Sequence, residues 1–215
     1  MARNLVDGLE SSGHRAEALE KFSLDFGAGF AGRRMAELRA TIWPDEPEPS
    51  GDQLGTEFYL FLLAAWHAGL ARFADVRSND ARRIGISDGS FYRVMAKAHI
   101  RGGLDLDWLA SLFRTALRPA MVILLDIDPA EAWKRRDSFK ETELGRWDGI
   151  EGEPEAAFCR YQEAIRQALL GFALEYGWPV IRQTAETTPE EVMRRAHSLV
   201  TEGISKTAPK TTKLA

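Results

Sequence analysis

Residues 120–128 read AMVILLDID, and residue 129 is proline. A run this short and this apolar has no polar face, so it suits a strand buried on both sides, as in a parallel sheet covered by helices. Pro129 fits the first turn of the helix that follows, where a missing N–H costs nothing. Two other runs have the same character: RRIGISD (82–88), which ends in a carboxylate, and WPVIRQT (178–184). The second is trailed by TTPEEVMRRAHSLV (187–200), whose threonine and glutamate spacing marks a capped helix start. Strand-like runs alternating with helical stretches predict an α/β domain with an open parallel sheet and flanking helices. In such sheets ligands bind beyond the carboxyl ends of the strands, which places Asp88 and the loop after Asp126 on the side where chemistry occurs.

The remaining elements follow from spacing. Leu5, Val6 and Leu9 recur at helical intervals and Gly13 stands where a left-handed cap closes a helix, so residues 1–12 read as a helix that starts without a cap. Residues 15–22 alternate weakly, as a short strand does. Helices are expected over 33–42 and, strongly apolar, over 57–73. The acidic, proline-rich stretch 43–55 and the tail 205–215 read as unstructured, which sets the domain at residues 1–204.

Composition excludes several function classes. With 45% hydrophobic residues in 215, the chain can bury a core and is not a disordered protein. A net charge of -4, with basic residues spread along the chain, offers no strong field for nucleic acid or a membrane surface. The longest apolar run lies within 58–71, is short for a membrane span and contains His67, so a cytoplasmic setting is expected. Cys159 is the one cysteine and reads as a small packed hydrophobe; the scattered histidines make no zinc site.

The stretch VDGLESSGHRAE (6–17) imitates a phosphate-binding loop. Gly8 and Gly13 occupy both glycine positions of G-x-x-x-x-G-K-[ST], but His14 and Arg15 stand where the lysine and hydroxyl belong. A loop there leaves only residues 16–21 for both a helix and a strand, whereas a helix of two to three turns alone takes ~10 residues. It also needs a buried strand before Gly8, and RNLVD has too few apolar residues to be one. The glycine spacing is read as the accident of a helix end.

The order of elements resembles the thymidylate kinase family of P-loop nucleoside monophosphate kinases, from about residue 2 to 200. PAMVILLDIDPAEAWKRR (119–136) is similar to the family's fourth strand and following helix, ELGRWDG (143–149) to its basic lid, and FCRYQEAIRQALLGFALEYGWPVI (158–181) to its late helix and last strand. ISDG (86–89) takes the place of the aspartate-arginine motif, GTEFYLFLLAAWHAGL (55–70) that of the substrate-contacting helix, and EKFS (20–23) that of a turn after the second strand. The family has a helix, then a glycine-histidine turn, then a strand directly after its P-loop, and residues 2–22 follow that order. The resemblance therefore implies that the first, central strand and the phosphate loop, ~15–20 residues, are missing before Met1. A gap of ~10 Å between the two neighbouring strands is the expected consequence, at about 4.8 Å per strand.

The resemblance also implies a site. ATP and Mg2+ are its cofactors, and Arg136 and Arg146 are candidates for stabilising the transferred phosphoryl group, with Arg135 and Lys140 beside them in the lid. Asp88 could hold a metal-bound water or a substrate arginine, or merely cap the next helix. Lys21, Phe61 and Arg93 are the substrate-binding candidates: Lys21 in the turn after the second strand, Phe61 for stacking on a base, Arg93 as a substitute for the family's arginine, which is Gly89 here. Trp66 and His67 stand near the usual substrate arginine, and AKAH (96–99) replaces the tyrosine-glutamine pair that reads the base, so thymine specificity does not carry over. Lys97 and His99 are left to meet a different acceptor, or none.

Two functions of different class compete. One is a nucleotide kinase that transfers the γ-phosphoryl of ATP to a nucleoside monophosphate, inactive in the form given for want of the loop; the other is a non-catalytic, kinase-like binding module. A kinase for another small phosphate acceptor is a third. The partner is a small-molecule nucleotide, with a homodimer through the apolar 58–71 helix permitted.

Overall fold

The computed structural model describes residues 2–19, 24–44, 54–77 and 83–207. Lys21, the turn EKFS (20–23), most of the acidic stretch and the chain beyond Thr207 lie outside the described residues.

The chain opens with α1 (Ala2–Ser11), which buries Leu5, Val6 and Leu9 on one face. Gly13 follows at φ +85°, and its N–H and that of His14 return to Glu10 and Leu9 carbonyls, so the helix ends where its glycine cap predicts. β1 (Arg15–Ala18) comes next, then α2 (Phe30–Ile42) and α3 (Thr56–Arg77). β2 (Arg83–Ile86) leads into α4 (Phe91–Gly102), capped by the Ser90 hydroxyl on Tyr92 N–H and closed by Gly103 at φ +60°. A short α5 (Leu106–Leu112), started by Asp105, was not marked by periodicity.

β3 (Leu124–Ile127) is the paired core of the AMVILLDID run, and Asp128 caps α6 (Pro129–Lys134) with Pro129 in the first turn. The lid-like segment forms α7 (Glu141–Leu144) and a 3-10 turn (Arg146–Asp148). α8 (Pro154–Tyr176) is the longest helix among the described residues, ended by Gly177 at φ +66°. β4 (Val180–Gln183) and α9 (Pro189–Thr207) complete the chain, α9 running on into the stretch read as tail.

The parallel strands form two separate pairs. Among the described residues β1 pairs only with β2, in parallel, with Ala16 opposite Ile84, and β3 only with β4, also in parallel, with Leu125 opposite Ile181. Residues 120–123, apolar as they are, stay outside β3, because β4 offers partners only from Val180 onward and a strand without a partner is not a strand. The two pairs still share one core. Ala16 and Ile181 are buried with Leu5, Val6 and Leu9 of α1 and with Val192 and Ala196 of α9, and Ile84, Ile86 and Leu125 pack against that cluster. α1 and α9 thus cover both halves of the divided sheet.

A second core joins α3, α4, α5 and α8 through Leu60, Phe91, Met95, Phe113, Ile165 and Phe172. Among the described residues one charged side chain is buried with the apolar ones: Asp126 of β3, 5% exposed. Arg166 of α8 reaches it with Nε 2.5 Å from Oδ1 and Nη2 3.2 Å from Oδ2. This ion pair fastens α8 to the strand pair.

Candidate active site

The lid-like segment is docked on α4 and α8. Leu144 is buried, Gln162 Nε2 donates to the Glu143 carbonyl at 2.7 Å, and the chain turns sharply at Gly145, φ +74°. A Cβ at Gly145 would stand 2.7 Å from Cγ of Tyr161 and 2.8 Å from Cγ1 of Ile150, so the ring of α8 dictates glycine here.

Arg136 grips Glu143 with both Nη atoms, at 2.7 and 3.0 Å, and lies 4.8 Å from the Phe139 ring centre. The guanidinium, helped by the Lys140 N–H, holds the Glu143 carboxyl below its usual range. Lys140 supplies that backbone group at the head of α7. Arg146 donates to the carbonyls of Ile150 at 2.9 Å and Gly152 at 2.6 Å and approaches Glu141 at 3.9 Å, bracing the far end of the lid.

Beneath the lid, Arg93, Lys97 and Arg101 recur every fourth residue and share one stripe of α4. Arg93 donates to Oε1 of Gln162 at 3.1 Å, and Lys97 reaches the Thr142 carbonyl at 3.5 Å and stands 5.5 Å from the Tyr161 ring centre. Arg101 pairs with Asp148 at 3.2 Å, and Asp148 also accepts a hydrogen bond from the Tyr161 hydroxyl. Arg93 is exposed at this surface. Loss of hydration lowers the pKa of both Arg93 and Lys97, and for Lys97 the Arg93 charge adds to the effect.

The structure brings Arg93, Arg136 and Lys140 around Glu143 and Gln162. Arg135 lies elsewhere, donating to the Thr184 carbonyl at 2.6 Å and to Gln183 at 3.4 Å beyond β4. Asp88 is exposed in the turn after β2 and does not cap α4, since Ser90 has that role. Gly89 beside it has φ +97°, a conformation that an arginine rarely adopts. Phe61, 54% exposed, meets the Trp108 ring at 6.4 Å.

His67 sits between the rings of Phe91 and Phe113, at 5.9 and 5.8 Å, and burial lowers its pKa to about 4. Trp66 is buried. The place of the family's substrate arginine is therefore neutral and apolar. His99 is turned to the Leu104 carbonyl at 2.8 Å, across the end of α4.

Glu143, Asp148, Tyr161 and Gln162 hold this arrangement together, and sequence reasoning did not single them out. The spacing of the α4 cations was readable; the partners that α7 and α8 bring to them come from chain-distant packing.

Similarity to known proteins is local. Over 53 residues the chain is 51% identical to the "Probable thymidylate kinase" of Thermococcus onnurineus (strain NA1), covering 25% of each. Proteins of the same name from Thermococcus gammatolerans and Thermococcus kodakarensis are 43% identical over 56 and 63 residues. The matched stretch thus spans only 25–30% of these relatives. No family model matches the chain. The α/β elements with short parallel pairs are compatible with a kinase-like fold. Among the described residues no three His, Cys, Asp or Glu side chains group so as to hold a metal ion, and no helix is long and apolar enough to cross a membrane.

Proposed function

We propose that the chain is a nucleotide-kinase-like domain of thymidylate kinase type, transferring the γ-phosphoryl of ATP to a phosphate-bearing acceptor in a cytoplasmic setting. The observation that supports this reading is the divided sheet: two parallel pairs share one core with α1 and α9, and the resemblance implies one further parallel strand, between β2 and β3, to join them. A strand there would deliver the backbone amides and lysine that cradle phosphates, in the manner of P-loop enzymes.

The cofactor chemistry fits the residues present only in part. ATP brings Mg2+ with its phosphates, and that ion needs one or two carboxylates from the protein; Asp88 is the carboxylate at the right edge. Arg136 and Arg146 are the cations that a closing lid would carry to the transferred group. Their present partners, Glu143 and the Ile150 and Gly152 carbonyls, are ones they would exchange for phosphate oxygens. Self-association through α3 belongs to this reading, because Phe58 and Phe61 both stand exposed on it.

The second reading, a binding module without turnover, is favoured by the positive φ of Gly89 and the neutral His67. A coupled ATP-consumption assay separates the two, run on the chain as given and on a version extended by the codons upstream of Met1. Turnover by the extended form alone supports the kinase and its added strand; equal turnover by both refutes the need for that strand. Nucleotide binding without turnover in either form establishes the module.

A further inference from the structure

Among the described residues Arg93 and Lys97 have no carboxylate in direct contact, although Glu143 stands near enough to favour both charges and Asp148 that of Lys97. They stand one turn apart on α4, where like charges repel. Their hydrogen-bond partners are uncharged: an amide oxygen for Arg93, and for Lys97 a carbonyl at the outer limit of hydrogen bonding. The neighbouring carboxylates are engaged elsewhere. Glu143 is gripped by Arg136 and by the Lys140 N–H, and Asp148 by Arg101 and the Tyr161 hydroxyl.

We propose that Arg93 and Lys97 form an anion subsite, taking a phosphomonoester dianion of the acceptor at the place where an uncharged base edge would leave both cations uncompensated. The planar guanidinium can present two parallel N–H donors to phosphate oxygens, and the ammonium adds a compact charge from the next turn. A dianion between them removes the mutual repulsion and replaces two weak contacts with charge-assisted ones. Lys97, half-buried against the Thr142 carbonyl and the Tyr161 ring, gains more from such a ligand than a cation at an open surface does. Gln162 and the Thr142 carbonyl preset the two side chains, and docking of α7 by Gln162 then places Arg136 on the far side of Glu143.

This names the acceptor class, an acceptor with an anionic group at α4, and its place in a reaction rests on the kinase-like reading; the binding itself does not. The test uses the full chain with ribose 5-phosphate as probe and ribose as its uncharged counterpart, at fixed ionic strength. Isothermal titration is expected to show binding of the phosphate and none of the sugar, weakened roughly tenfold or more by Arg93→Gln or by Lys97→Gln. Arg93→Lys is expected to retain most of the affinity, and Lys134→Gln, a surface cation on α6, to leave it unchanged.

A measurement on the unaltered protein guards against variants that misfold. Acetylation of the Lys97 amine, read by mass spectrometry, is expected to be suppressed by ribose 5-phosphate and not by ribose, while Lys134 is modified equally in both. No protection of Lys97, or equal binding by the wild type and both glutamine variants, overturns the proposal. Protection of Lys97 with no ATP turnover in any form would remove the kinase reading and leave the subsite standing. Turnover with an acceptor lacking this phosphate, unaffected by Arg93→Gln, would do the reverse.

Discussion

Arg166 of α8 holds both carboxylate oxygens of Asp126 in β3, at 2.5 and 3.2 Å, and Asp126 is almost wholly buried. The pair crosses from helix to strand, so it is a fastening between layers. Removing the arginine leaves the buried carboxylate with only Arg182, its Nε 4.0 Å from Oδ2, a change that costs up to about 3–5 kcal/mol. Arg166→Met is expected to lower the urea midpoint correspondingly, while Asp126→Asn with Arg166→Met together costs less than the single arginine change. A double-mutant cycle read by urea unfolding checks this.

His67 sets a pH dependence with a definite sign. Its folded pKa of about 4 lies below the ordinary 6.5, so between these values the unfolded chain binds a proton that the folded one refuses. Stability is therefore full above about pH 6.5, falls as the pH drops towards 4 and levels off below; the loss is at most about 3 kcal/mol. His67→Leu is expected to flatten this part of the profile, measured by denaturant unfolding across pH 4–7.

Gly145 is the hinge on which the lid is folded. Gly145→Ala places a methyl group against Tyr161 and Ile150 on a backbone of positive φ, and is expected to destabilise the docked segment by about 1–2 kcal/mol. Amide exchange in residues 140–149 is expected to rise more than exchange in α8. Uniform acceleration of both would contradict a local effect.

Arg136 and Glu143 form a pair that is half open to water, Arg136 being 49% exposed. Such pairs contribute less than about 1 kcal/mol to stability. Glu143→Gln is thus expected to leave the melting temperature nearly unchanged while loosening the lid, seen as faster protease cutting within 137–153. A large fall in melting temperature would show that the pair is structural first.

Legibility varied with how local the cause was. Gly13 and Pro129 announced a helix end and a helix start because both are decided within a few residues. β3 was foreseen over 120–128 but forms only at Leu124–Ile127, since its extent is fixed by Val180–Gln183 of β4 rather than by its own apolarity. α5 has a clear Asp105 cap and still escaped, being too short for periodicity to register. At the site, the cations Arg93 and Arg136 were nameable from charge and resemblance; Glu143, Gln162 and Tyr161, which decide what those cations can do, come from helices whose crossing no local pattern records. The resemblance set Arg136 at the transferred phosphoryl group and Arg135 beside it in the lid; the fold sends Arg136 to Glu143 and Arg135 to Thr184.

The divided sheet also bears on how the chain reaches this structure. β1 waits for β2 across α2 and α3, and β3 waits for β4 across α6, α7 and α8, so each pair closes a long loop before its first ladder bond forms. Neither pair can template the other through a common strand. Ordering of the two halves falls to their shared core, where α1 lies on β1 and β2 and α9 on β4, and strand pairings so distant in sequence slow folding relative to local helical contacts.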